Sequence, residues 1–176
     1  TAPVIEASYL RFLGIFDKLL QRHPFVLGDR PSSADFAIYA QLTQLAKFDP
    51  TPMQLCLQHA PRVHAWTDIV DDLSGQPADD DGWLEPEQIR NHLGDLLSEV
   101  GRVYIPALLA NNAAIDAAAD QMDTTIDGQP WTQPTFPYQA KCLQALRQSY
   151  FSLDPADRDS VDTVLKGTGC EAFLGS

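Results

Sequence analysis

Residues 26–42 read VLGDRPSSADFAIYAQL, and they limit the fold more than any other stretch of the chain. Ser32-Ser33-Ala34-Asp35 has the spacing of a capping box. In such a box the Ser32 hydroxyl accepts from the Asp35 amide, and the Asp35 carboxylate reaches back to the Ser32 amide. Past the box, Phe36, Ile38, Tyr39, Leu42 and Leu45 point in almost every direction around a helix. A helix apolar on all sides belongs at the centre of a bundle. If it is buried down to its first turn, its free amides need side-chain partners in place of water. Asp35 therefore reads as a structural acceptor.

The rest of the chain has the same helical texture. In residues 4–22, Ile5, Tyr9, Phe12, Leu13, Phe16, Leu19 and Leu20 recur at steps of three and four, one stripe of an amphipathic helix. His23-Pro24 stops it, and FVLGDRP is a short link pivoting on Gly28. A short helix follows, with Thr51 as cap and Pro52 in its first turn. In APRVHAWTDIVDDL the stripe is Val63, Trp66, Ile69, Val70 and Leu73. SGQPADDDG, residues 74–82, has no periodicity and several breakers, so it reads as a linker.

Beyond the linker, Ile89, Leu93, Leu96, Leu97 and Val100 mark a helix. An Ala-rich helix comes next, with Pro106 in its first turn or at a kink. Asp127-Gly128 is a two-residue hairpin signal that Pro130 restricts to a small ribbon. A further helix places Cys142, Leu143, Leu146 and Tyr150 inward, and the last begins at Asp154-Pro155 and stops at Gly167. The fold expected is all-α: a helical bundle with a helical extension and one small β-hairpin near 124–133. The domain limits expected are a core at 1–75, a linker at 76–82 and an extension at 83–176 packed on the core.

With 176 residues, 44% of them hydrophobic, the chain can bury a real core. Twelve Lys and Arg face twenty-four Asp and Glu, a net charge of −12 that argues against nucleic acid and against an anionic membrane surface. No apolar run reaches the roughly 18–20 residues of a membrane span, and no signal peptide opens the chain. The first residues, TAPVIEASYL, already read as helix, so the expectation is a chain cut from something longer. Cys56, Cys142 and Cys170 are odd in number and far apart, which fits reduced thiols in a cytoplasm.

Candidate chemistry is sparse. His59 and His64 are interrupted by Pro61 and lack the helical metal-pair spacing. His23 and His92 read as surface or capping residues, and Cys56 and Cys142 as buried structural thiols. GTGC at 167–170 fits a helix C-terminus, and the acids at 79–81 a solvated linker. No metal site and no catalytic set is expected in this chain.

FVLGDRPSSADFAIYAQL followed by APRVHAWTDIV resembles the C-terminal helical domain of cytosolic glutathione S-transferases. The family's Gly-containing turn, its Ser-x-x-Asp opening of the central helix and its Pro-Arg-Val-x-x-Trp segment are matched by Gly28, Ser32, Asp35, Pro61, Arg62, Val63 and Trp66. The likeness covers residues 4–75, and residues 83–176 resemble the C-terminal extension of a bacterial subgroup of transferase-like proteins.

The resemblance implies that Ser32 and Asp35 form a folding element with no part in catalysis. It implies a parent that conjugates glutathione, its co-substrate, to a small apolar electrophile. The parent's thiol-activating thioredoxin-like domain is the partner missing from this chain, which is expected to be inactive alone. This chain would supply the apolar co-substrate wall, with Tyr9, Phe12 and Tyr39 as candidates and Trp131 and Phe136 as alternatives. A homodimer is left open. The competing reading is a non-enzymatic helical interaction module, because related helical domains serve as docking platforms.

Overall fold

The computed structural model describes residues 2–76 and 81–175. Of the expected linker 76–82, residues 77–80 lie outside the described residues, as do Asp79 and Asp80 of the acidic run. In chain order the helices are α1 (Ala2–Leu20), α2 (Ser33–Leu45), α3 (Pro50–His59), α4 (Pro61–Asp71), α5 (Pro86–Glu99), α6 (Ile105–Asp116), α7 (Pro137–Phe151) and α8 (Pro155–Leu165). A hairpin of β1 (Gln121–Ile126) and β2 (Gln129–Pro134) stands between α6 and α7. The fold is all-α with this one small antiparallel ribbon. The chain divides into two compact units, Tyr9–Leu93 and the remaining described residues.

In the Tyr9–Leu93 unit, proline marks the helix starts. Pro50, Pro61 and Pro86 each occupy the first position of α3, α4 and α5, where a missing amide costs nothing. The cap of α3 is Asp49, whose carboxylate accepts from the Thr51 amide at 3.1 Å, so that helix begins ahead of the expected Thr51 cap. Leu13 and Phe16 of α1 are fully buried, as are Leu42, Cys56, Val63 and Trp66 to within about 2%. The Phe16 ring stacks on Phe12 at 5.4 Å and meets Trp66 edge-on at 4.9 Å.

Complete burial of α2, expected from its apolar content, is not observed. Asp35 and Leu42 are its buried residues, while Ser33, Phe36, Ala37, Ala40, Gln41 and Gln44 form an exposed outer stripe. Phe36 is 49% exposed, and Phe48 just beyond the helix 77%. α2 has its tightest packing against α4 and keeps the other side open. Likewise Ile5, Ile69 and Leu146, which fall in sequence on apolar stripes, are half exposed.

In the other unit, α5 and α6 are joined by a π-helical turn, Val100–Tyr104, and Pro106 stands in the first turn of α6, one of the two places expected for it. The Ile105 amide reaches back five residues to the Val100 carbonyl. Widening the turn at this point accommodates a residue that has no amide and whose ring would crowd the carbonyl four positions earlier. Gly101 lies in this turn, and a Cβ there would collide with the Thr168–Cys170 backbone.

The hairpin pairs Gln121 with Pro134 through Ile126 with Gln129. Its turn residues Asp127 and Gly128 have φ of 52° and 70°, as a two-residue turn with the strands' twist requires. Both strands of a two-stranded ribbon are edges, so Pro130 and Pro134 are tolerated. Asn111, fully buried on α6, holds the peptide of Phe136, donating to its carbonyl at 3.0 Å and accepting from its amide at 2.7 Å. Phe136 is the cap position of α7 and has no side-chain acceptor of its own.

Candidate functional site

In the Tyr9–Leu93 unit Asp35 has no solvent exposure. One carboxylate oxygen accepts from the Val26 amide at 2.8 Å. The other accepts from the Ser32 amide at 2.8 Å and from the Ser32 hydroxyl at 2.7 Å. Ser32 and Asp35 have the reciprocal geometry of a capping box. The Asp35 amide also reaches the Ser32 carbonyl at 3.1 Å. The third anchor, Val26, lies nine residues upstream, so the same carboxylate fastens the link after α1 to the first turn of α2. Both oxygens are engaged by the protein itself.

The aromatic residues suggested for a co-substrate wall fall in both units. Tyr9, Phe12 and Tyr39 belong to the Tyr9–Leu93 unit, and Trp131 and Phe136 to the other. The Tyr9 hydroxyl donates to the carbonyls of Leu45 and Pro52, at 3.2 and 3.3 Å. Burial, then the neighbouring Cys56, pushes the Tyr9 phenol far above its ordinary pKa, so it remains a donor. Phe12 lies against Phe16. The Tyr39 hydroxyl donates to the Asp71 carboxylate, and this bond raises the pKa of its phenol. Trp131 bonds Gln133 within its own strand at 3.0 Å, and Phe136 is half exposed.

The structure also shows two features that sequence reading passed over, both inside the Tyr9–Leu93 unit. The first is an open cleft of about 670 Å³. Leu20, Pro24, Ala65, Trp66 and Ile69 are among its lining residues. The ion pair of Asp17 with Arg62 at 3.5 Å and His59 are at its border. The second is Lys47, which contacts His64 Nδ1 at 3.2 Å and Asp68 at 2.7 Å. Its bond to Lys47 holds the Asp68 carboxyl below the usual range. Lys47 lies in the turn between α2 and α3, while His64 and Asp68 stand four residues apart on α4.

Cys56 is fully buried and Cys170 nearly so, and burial is the chief cause that pushes both thiols up from their ordinary pKa. Among the described residues there is no group of three or more metal-ligating side chains, and no helix is long and apolar enough to cross a membrane.

Residues 3–68 match the family model described as glutathione S-transferase, C-terminal domain. The matched stretch includes the capping pair, the cleft up to Trp66, and Lys47 with its two partners. No curated protein and no solved structure gives a match.

Proposed function

We propose, from the match of residues 3–68 to the glutathione S-transferase C-terminal domain, that this chain is the helical half of a protein that conjugates glutathione to an apolar electrophile. In that reaction the glutathione thiolate attacks the electrophile, a sulfur–carbon bond forms and the leaving group departs. A thioredoxin-like domain elsewhere in the parent binds glutathione and lowers the pKa of its thiol. The chain itself contributes apolar wall, with Tyr9, Phe12 and Tyr39 nearest to that role, and takes no proton. The proposal keeps the domain limits 1–75 and 83–176 and a cytoplasmic setting.

The observation carrying this reading is the family match joined to the outer face of α2. In an acidic chain, that face presents Phe36, Ala37, Ala40, Gln41 and Gln44 without a single charge. A face of this kind is typical of the buried centre of a protein interface. It supports equally the second reading, a non-enzymatic interaction module.

Conjugation of an aryl halide to glutathione separates them. The chain alone is expected to be inactive, and the chain joined to its thioredoxin-like domain active. Phe36→Glu is expected to abolish activity of the joined protein while leaving the melting temperature of the chain alone unchanged. A parent without a thioredoxin-like domain overturns the enzymatic reading.

A further inference from the structure

The segment that re-enters the described chain after residue 80 is pinned to the link around Gly28. The Asp29 amide donates to the Gly82 carbonyl at 2.8 Å, and the Leu84 amide to the Leu27 carbonyl at 2.9 Å. Gly28 makes isolated bridges to both Phe25 and Trp83. A Cβ on Gly28 would strike the Gly82 carbonyl, and with a φ of 129° the position demands glycine on backbone grounds too. The Arg30 guanidinium lies over the Trp83 ring at 5.1 Å. Nearly two helical turns into α5, the His92 ring meets the His23 ring edge-on, with centroids 5.1 Å apart.

The surroundings of His92 oppose a charge on its ring more than they favour one, the Phe25 backbone being the one contact that favours it. Its Nε2 is shut off from solvent and has no hydrogen-bond partner. Its other ring nitrogen bonds the Phe25 backbone. The charged groups reaching it from the packed segment are Arg22 and His23. The nearby carboxylate, Asp29, is taken by His23 Nδ1 at 3.0 Å. Arg90 and Asp95, the nearest charged positions on α5 itself, are exposed.

We propose that the His23–His92 pair is an acid-sensitive latch, closed at neutral pH, whose protonation at His92 releases residues 82–93 from the link at 25–29. A proton on Nε2 would create a buried donor without an acceptor and a third cation beside Arg22 and a protonated His23. Burial first, then His23 and Arg22, hold this imidazole below the ordinary histidine value of 6.5. The unfolded or detached segment therefore takes the proton more readily than the closed one. Closure is fully favoured above the ordinary value and is lost as pH falls from there through the closed-state value.

The test is amide hydrogen exchange on the whole chain, expressed as protection factors so that intrinsic pH effects cancel. Between about pH 7 and about pH 5, protection at Asp29 and Leu84 is expected to fall about tenfold or more, while Val26 and Ser32, held by Asp35, keep theirs. In His92→Gln the protection at Asp29 and Leu84 is expected to be independent of pH. The imidazole titration of His92, followed by NMR in the unmodified chain, is expected to share its midpoint with the loss. Constant protection in the unmodified chain, the same loss in His92→Gln, or a midpoint displaced from the His92 titration each overturns the latch.

Discussion

Asp35 accepts three hydrogen bonds with two oxygens, and two of its donors are backbone amides. Ser32 contributes less, since its hydroxyl shares a carboxylate already bonded to its own amide. Ser32→Ala is accordingly expected to lower the unfolding free energy by about 1 kcal/mol in a urea titration, the ordinary cost of losing an N-cap. A loss several times larger would show that the hydroxyl carries more of the anchor than its geometry indicates. The thiols make a second residue-level prediction. Cys142 is half-buried, whereas Cys56 and Cys170 are buried and have raised pKa values. A disulfide reagent should modify Cys142 first and reach the other two only on unfolding. Rapid reaction at Cys56 in the native chain would contradict the packing described.

At the scale of elements, the π-helical turn between α5 and α6 is held by two complementary constraints. Pro106 needs the widened turn, and the absent side chain of Gly101 lets the Thr168–Cys170 backbone approach it. Gly101→Ala should therefore destabilise the chain by about 1–3 kcal/mol, read from the same urea titration. An unchanged midpoint would mean that the two segments do not meet there. The turn also marks where sequence reading stops working. Pro106 has its expected place in the first turn of α6, but the widening of the turn before it goes with Gly101 meeting residues almost seventy positions later. The hairpin was legible because Asp127-Gly128 states its own backbone requirement. The capping pair was legible for the same local reason, while its third bond, to Val26, was not. α2 misled in the other direction. Its apolar residues predict contact on every side, and the outer stripe with Phe36 and Ala37 remains open. Asn111 and Lys47 were missed because a single amide or ammonium gives no periodic sign of the backbone or carboxylate it will meet.

At the scale of the whole molecule, the family match spans residues 3–68, and the chain continues well past it into a unit with its own core around Ile105, Leu165 and Cys170. The functional reading rests on the matched part, and the matched part rests on the anchor at the mouth of α2. The most direct measurement is the unfolding free energy of Asp35→Ala, taken together with amide exchange at Val26 and Ser32. The account predicts a loss of about 2–4 kcal/mol, from donors left buried without acceptors, with those two amides among the first to lose protection. Stability within about 0.5 kcal/mol of the unmodified chain, with both amides still protected, would contradict it.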